Sequence, residues 1–268
     1  MSLRIQNNIA AFDAERNLTG TTNRLQTSMA RLSSGYRINT AADDAAGLAI
    51  SEKLRAQIGG LQQANSNAQD SISLVQTAEG QMNEVHSMLQ RVRDLAVQYK
   101  NGTLSTDDRT AIQSEVNQLG SEIQRIGNSA AFNGISLLAQ NGTITFQIGA
   151  NDGDVISVST ISLGSAVSTG VFSLSASGTT DISEIDDAIN AVSAQRATFG
   201  SVQNRLEHTI NNLATYQENL TASESQIRDV DMASEMVEFT KDQILQQAGT
   251  SMLSQANQLP NSVLSLLR

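Results

Sequence analysis

His86 and His208 are the only histidines in this 268-residue chain, and an imidazole can ligate a metal or move a proton near neutral pH. The chain has no cysteine, so a zinc site would have to combine these two side chains with carboxylates. Neither histidine belongs to an HExxH pattern, which places two metal ligands on one face of a helix. His86 lies between the apolar Val85 and Leu89 in a predicted helix. We therefore expect two residues at the boundary of a helical bundle, no enzymatic activity and no cofactor.

The overall composition argues against several other functions. The net charge is -10 and the acidic residues are scattered, so nucleic acid is not an expected partner. Residues 1–17 contain no apolar core of a secretory signal, and no run of about 18 apolar residues is present to cross a membrane. Only 3% of the residues are aromatic and one is proline, which favours a thin helical bundle over a thick globular core.

Two long segments carry an apolar residue at every seventh position. In one segment these residues are Ile185, Val192, Phe199, Leu206, Leu213, Leu220 and Ile227, and in the other Leu61, Ala68, Val75, Met82, Leu89 and Ala96. This spacing places a narrow apolar stripe along a helix, which packs against a partner helix as a left-handed coiled coil. We predict a mainly α, elongated antiparallel bundle with its seam at Val75, Met82, Leu89, Leu206, Leu213 and Leu220.

Shorter elements surround these two helices. Residues 3–32 predict an amphipathic helix, residues 44–99 the first long helix, and Ser105–Asp107 the capped start of a return helix. Alternation at 143–148 and 155–158 predicts a β-hairpin in the middle of the chain, and we interpret residues 159–181 as irregular loop with one further short strand. Gly59-Gly60 and Gly80 either interrupt the long helix or mark the close approach of a neighbour. Pro260 predicts a disruption near the end of the last helix.

The chain ends are unusually apolar for segments with no further element to cover them. In one interpretation the two ends pair with each other and complete a monomeric bundle. In the other they stay mobile in the monomer and fold only when copies of the chain associate. The pattern favours self-association.

Several long segments resemble the signatures of bacterial flagellin. They are LSSGYRIN at 32–39, DDAAGLAI at 43–50, LQRVRDLAVQ at 89–98, FNG at 132–134, NRL at 204–206 and ENLTASESQIRDVD at 218–231. The resemblance covers roughly residues 1–140 and 180–268. It implies a structural subunit that polymerises into the flagellar filament for swimming motility.

The resemblance also implies a domain organisation. Residues 1–40 and 231–268 would form an inner coiled-coil domain and its linker, with Ile5, Ile9, Phe12, Leu18, Leu25, Leu245, Met252 and Leu259 on the inner-core helices. Residues 41–140 and 181–230 would form the rod domain, with a small β and loop region at 141–180. Because this middle region is short, we expect no outer domains and a thin, smooth filament.

Flagellins are exported unfolded through a type III apparatus, so the resemblance implies a secreted, extracellular flagellar protein. It implies as partners further copies of the chain, an export chaperone at about residues 237–267, and the filament cap and hook-associated proteins. Toll-like receptor 5 is a further implied partner, through Arg91, Leu95 and Glu115; Asp94 stands where a glutamate is more usual. These three residues lie off the main seams, so we expect them to face outward. An ordinary interhelical salt bridge is the alternative interpretation of the Arg91–Glu115 pair.

Two other functions fit the same helical pattern. A hook–filament junction protein shares the terminal helices but not the full 218–231 signature. A secreted helical adaptor would be a third class, which does not polymerise.

Overall fold

The computed structural model describes residues 8–167, 169–175 and 181–266, which are mainly α-helical. The helices are α1 (Ile9–Ser34), α2 (Ala45–Tyr99), α3 (Thr106–Ser129), α4 (Leu163–Ala166), α5 (Asp181–Arg228) and α6 (Met232–Leu266), with a 3-10 turn at Thr169–Phe172. The strands are β1 (Ala131–Phe132), β2 (Ile135–Ser136), β3 (Gly142–Gln147) and β4 (Val155–Thr160). The predicted mainly α class with a small central β-hairpin is confirmed.

The chain folds into two compact units. The terminal unit comprises Met1–Ala56 and Asn219–Arg268, and the bundle unit comprises Gln57–Glu218. The long helices α2 and α5 contribute residues to both units. The filament domains expected from the sequence, with boundaries at residues 40, 140, 180 and 230, stay a prediction.

The core of the bundle unit lies where α2, α3, α5 and the β3–β4 hairpin meet. The seam residues Val75, Met82, Leu89 and Leu206 are 0% exposed and Leu213 is 7% exposed. Two ion pairs join α2 to α5. Arg93 Nε lies 2.6 Å from Asp186 Oδ1, and Arg196 Nη2 lies 3.7 Å from Glu79 Oε1. The two helices are antiparallel, because the lower-numbered residue of α2 pairs with the higher-numbered residue of α5. The last seam residue, Leu220, is half-buried in the terminal unit.

Helix starts follow the capping residues that the sequence offers. The Asp44 carboxylate accepts a hydrogen bond from the Gly47 N–H and so satisfies the first turn of α2. Ser105 and Asp108 form a reciprocal capping box at the start of α3. The predicted start of α1 at residue 3 lies outside the described residues, whereas its end is fixed by Gly35, whose φ of 77° closes the helix with a left-handed turn.

Helix α2 runs without interruption through its glycines, and Gly60 has a packing reason. A Cβ added at Gly60 would lie 2.8 Å from the Cβ of Ala150 in the loop between β3 and β4, whereas one at Gly59 would meet nothing within 4 Å. Gly60 therefore marks the close approach of the hairpin loop to α2. Gly59 occupies open space, where a glycine only weakens the helix.

We expect Gly60→Ala to lower the free energy of unfolding by about 1–2 kcal/mol, because the overpacking outweighs the gain in helix propensity. The matched variant Gly59→Ala should raise it by up to about 1 kcal/mol, since it gains propensity without a clash. Urea unfolding of the two variants measures both effects. Changes of the same sign in the free energy of unfolding of the two variants would contradict the different surroundings assigned to Gly59 and Gly60.

Two parts of the sequence interpretation were wrong. Within the described residues of 159–181, the chain forms α4 and the 3-10 turn rather than a strand beyond β4. The reason is that Leu163, Val167 and Val171 recur at a helical spacing of four and bury their side chains. The disruption predicted at Pro260 does not interrupt α6, which continues to Leu266; the proline removes one backbone hydrogen bond of the helix and leaves those on either side.

The Asn133-Gly134 pair forms a turn that the sequence interpretation left without a structure. Both residues have positive φ, 48° and 79°, and they join β1 to β2. Positive φ at both central positions is typical of a type I′ turn, for which Asn-Gly is the preferred sequence. The short β1–β2 hairpin follows directly after α3.

Candidate assembly surface at the chain ends

Helices α1 and α6 pack together as an antiparallel pair. Arg31 lies 3.8 Å from Glu235, Arg24 lies 3.3 Å from Asp242, and the Asn8 side chain donates to the Ala256 carbonyl at 2.8 Å. Descending numbers along α1 thus match ascending numbers along α6. The two ends of the chain therefore pair with each other within one subunit, which is the first of the two alternatives that the sequence left open.

The face that α6 turns toward this seam is largely polar or small. Its buried and half-buried positions recur every three or four residues, at Glu235, Phe239, Asp242, Gln246, Gly249, Leu253 and Ala256. The corresponding positions of α1 include Ala11, Ala14, Leu18, Thr21, Leu25, Ser28 and Leu32. The large apolar side chains of this seam are half-buried rather than buried, so the pairing alone gains only part of their hydrophobic free energy.

Most large apolar residues of the pair remain outside the seam. On α6 they are Met232 (49% exposed), Met236 (48%), Val237 (67%), Ile244 (62%), Leu245 (43%) and Met252 (65%), and on α1 they are Ile9 (60%), Phe12 (65%) and Met29 (48%). Val237, Ile244, Leu245 and Met252 follow a helical spacing and form what we call the α6 stripe. An exposed apolar face of this kind marks an interaction surface.

The residues predicted for the inner-core helices fall into three groups. Ile9, Phe12, Leu245 and Met252 belong to the exposed apolar set, and Leu18 and Leu25 are half-buried in the α1–α6 seam. Ile5 and the side chain of Leu259 lie outside the described residues. The role assigned to all eight in a filament stays a prediction.

The linker after α1 is bound to the junction between α5 and α6. The Arg37 N–H donates to the Arg228 carbonyl at 2.7 Å, and the Val230 N–H donates to the Gly35 carbonyl at 3.0 Å. Tyr36 and Asp229 form an antiparallel bridge between these two bonds. The Arg37 guanidinium also donates to the Ile227 carbonyl, so it satisfies an end group of α5 that has no partner within the helix.

Arg228 fastens this junction to the start of α2. Its guanidinium lies 4.8 Å from the centre of the Tyr36 ring and donates to the Glu52 carboxylate at 2.7 Å. The Arg228 side chain is 13% exposed, whereas that of Arg55, which also binds Glu52 at 3.2 Å, is 56% exposed. The hydrogen bond from Arg228 holds the pKa of Glu52 below its usual value.

We expect Arg228→Ala to destabilise the terminal unit by about 1–3 kcal/mol, since it removes a charged hydrogen bond and a cation–π contact from a largely buried position. Hydrogen exchange of the Val230 amide measures the loss. The matched variant Arg55→Ala removes an exposed partner of the same carboxylate and should change exchange little. Equal loss of protection in both variants would contradict the role of Arg228.

The same contact predicts a pH dependence. Because the pKa of Glu52 is lower in the folded state, its contribution to stability is present above its unfolded-state pKa and is lost as the pH falls through the lower, folded-state pKa. The difference in melting temperature between the parent chain and Glu52→Gln should therefore disappear on acidification. A difference that persists at low pH would show that the charge of Glu52 does not matter.

The residues predicted to contact a receptor lie in the bundle unit. The Arg91 guanidinium donates twice to one Glu115 carboxylate oxygen, at 2.8 and 2.9 Å, with the two side chains 56% and 44% exposed. The expectation that Leu95 faces outward was wrong, because Leu95 is only 2% exposed. At about 100° per residue, Leu95 falls within the arc of α2 between Arg91, which binds α3, and Arg93, which binds α5. Two neighbouring helices therefore bury it.

The histidines take ordinary positions in the bundle. His86 is half-buried and its Nε2 lies 3.0 Å from the Gln90 amide nitrogen, while His208 is exposed. Among the described residues, no group of three or more acidic or histidine side chains is placed to hold a metal ion. No described helix combines the length and the hydropathy needed to cross a membrane.

A helical bundle whose paired ends leave apolar faces uncovered is typical of a subunit that assembles with copies of itself. Comparison with known proteins identifies the family to which this subunit belongs. The family model for the bacterial flagellin N-terminal helical region matches residues 5–143, and that for the C-terminal helical region matches residues 182–267. The chain belongs to the bacterial flagellin family.

Full-length relatives agree with this assignment. The chain is 51% identical to a flagellin of Halalkalibacterium halodurans, over 98% of this chain and 99% of the relative. It is 48% identical to a flagellin of Bacillus subtilis, over 99% and 100% of the two chains. The crystal structure of Bacillus cereus flagellin is 35% identical and superposes with a TM-score of 0.51, covering 55% of this chain and 88% of that one.

The protein is therefore a structural subunit of the bacterial flagellar filament, in which copies of the chain form a homopolymer. Its family is one of structural proteins rather than enzymes. None of the matches described above favours a hook–filament junction protein or a non-polymerising adaptor.

Proposed function

We propose that this flagellin polymerises through the α6 stripe and the exposed apolar residues of α1, each buried against further copies of the chain. The observation that carries the proposal is that α6 packs mainly polar and small residues on α1 and leaves residues such as Val237 and Ile244 more than half exposed. Burial of a large aliphatic side chain contributes about 1.5–3 kcal/mol. Several such residues per subunit, repeated along a polymer, supply a strong drive to assemble.

Removal of the terminal helices tests this proposal. A chain trimmed of residues 1–35 and 236–268 should fail to polymerise on seeding, because it lacks both apolar surfaces. Its helical content should persist by circular dichroism, since the bundle core lies within Gln57–Glu218. Electron microscopy of the seeded samples is the measurement, and filaments formed by the trimmed chain would overturn the proposal.

The same apolar surface motivates a proposal for export. We expect the chain to leave the cell unfolded through the flagellar type III apparatus as a secreted protein without catalytic activity. An export chaperone would cover residues 237–267 beforehand, and the filament cap and hook-associated proteins would contact assembled subunits. Loss of chaperone binding in a chain without residues 237–267, measured by calorimetry, supports this role, whereas unchanged binding contradicts it.

Recognition by Toll-like receptor 5 is proposed for the exposed Arg91–Glu115 pair. Both groups are accessible on the subunit, and charged groups with this exposure can bind a partner through complementary charge. Leu95, which is buried where α2 meets α3 and α5, would hold Arg91 in place rather than touch the receptor. Free subunits carrying Arg91→Ala should activate receptor-bearing reporter cells less than the parent, and equal activation would remove Arg91 from the contact.

A further inference from the structure

A buried carboxylate lies in the seam between α1 and α6. Asp242 is 3% exposed, and its carboxylate accepts a hydrogen bond from the Arg24 guanidinium at 3.3 Å. Arg24 also donates to the Thr21 hydroxyl at 3.1 Å, and Thr21 is itself buried. A carboxylate removed from water costs free energy unless it is paired, so Asp242 depends on the position of Arg24.

A second ion pair follows one heptad away. Arg31 lies 3.8 Å from Glu235, seven residues from the Arg24–Asp242 pair on both helices. Seven residues further along α6, Gly249 faces Leu18. The seam thus has a charged end and a small or apolar end, and this asymmetry distinguishes one alignment of the helices from all others.

A shift of one heptad illustrates what the charges exclude. If α1 slid so that Arg24 met Glu235, Asp242 would come to lie against Leu18, and Arg31 would lose its partner on α6. A shift in the opposite direction would place Arg24 against Gly249 and leave Glu235 unpaired. Each shift loses one of the two charged pairs of the seam.

We propose that Asp242, through Arg24, determines the register of the α1–α6 pair and so fixes where the α6 stripe is presented. A single polar or charged residue at a coiled-coil seam can set register at some cost in stability. The proposal concerns the subunit itself; its consequence for the filament rests on the assembly surface proposed above. Asp242 is a positioning residue, and the α6 stripe makes the contacts between copies.

The absence of cysteine makes the register directly measurable. A Cβ at position 249 lies 3.8 Å from the Cβ of Leu18, within the separation of about 3.5–4.5 Å that a disulfide requires. Leu18→Cys with Gly249→Cys therefore reports the native register. Ala11→Cys with Gly249→Cys reports the register shifted by one heptad, with the same cysteine on α6.

In the full-length parent chain, the native pair should oxidise at least ten times faster than the shifted pair. Asp242→Leu should reduce this ratio about tenfold, because the shifted alignment then places an apolar side chain against Leu18 at no electrostatic cost. Arg24→Asp places two carboxylates against each other in the native alignment and should slow oxidation of the native pair, and the double exchange of Arg24→Asp with Asp242→Arg should restore its rate. An unchanged ratio in Asp242→Leu, or a double exchange that behaves like Arg24→Asp alone, would overturn the proposal.

Circular dichroism controls for loss of the helices. If Asp242→Leu unfolds them, Asp242→Asn keeps the size of the side chain and a hydrogen-bond acceptor, and the ratio should still fall; an unchanged ratio would again overturn the proposal. Seeded polymerisation is measured separately from cross-linking. A chain with native register that polymerises despite a charge in the α6 stripe would refute the assembly surface without touching the role of Asp242.

Discussion

Ile244→Asp should abolish polymerisation while leaving the subunit folded. Ile244 is 62% exposed on α6 and lies outside the seam with α1, so the substitution should change the free energy of unfolding by no more than about 0.5 kcal/mol. In a filament that buries this side chain, each subunit would instead bury an unpaired carboxylate. That cost, about 3–5 kcal/mol, corresponds to a rise of at least a hundredfold in the critical concentration.

The neighbouring residue provides the control. Gln243→Asp introduces the same charge at an exposed position of α6, about 100° around the helix from Ile244 and on the side away from the α6 stripe. It should polymerise at close to the parent's critical concentration. Sedimentation of seeded samples measures both variants, and normal polymerisation of Ile244→Asp would show that copies of the chain associate through another surface.

Leu206→Ala, unlike Ile244→Asp, should destabilise the fold of the subunit itself. Leu206 is 0% exposed in the core of the bundle unit, so its truncation removes buried apolar surface and leaves a cavity. We expect a loss of about 2–5 kcal/mol in the free energy of unfolding, a large part of the stability of an ordinary domain. Urea unfolding followed by circular dichroism measures the change.

Glu207→Ala is the matched variant, one residue along α5 and exposed. It should shift the free energy of unfolding by no more than about 0.5 kcal/mol. Similar losses in both variants would mean that the heptad stripe is not the core of the bundle. Leu206→Ala and Ile244→Asp together separate residues that hold the subunit from residues proposed to join subunits.

The heptad spacing was sufficient to predict the long helices and their buried stripe. A spacing of seven restricts which side of a helix is covered, so residues such as Leu206 could be assigned to the core without coordinates. Leu95 was misjudged because the seam was treated as a two-helix contact. Since α3 and α5 both bind α2, a wider arc is buried than one partner would cover.

The composition of the α1–α6 seam was harder to foresee. Amphipathic patterning assumes that the apolar side of a helix faces its neighbour in the same subunit. Helix α6 departs from this rule, because Asp242 and Gly249 face α1 while Ile244 is exposed. A sequence pattern shows which residues avoid water, but it does not show whether the chain itself or another copy will cover them.

The pairing of α1 with α6 also has a consequence for the order of folding. The hydrogen bond between Asn8 and Ala256 spans 248 residues, and the one between Arg24 and Asp242 spans 218. Contacts this distant in sequence form slowly, and they cannot form at all on a chain that has not yet been made as far as α6. During synthesis α1 therefore waits without its partner, and a truncated product cannot display the complete surface. If copies of the chain assemble through the surface proposed above, competence to polymerise depends on completion of the chain.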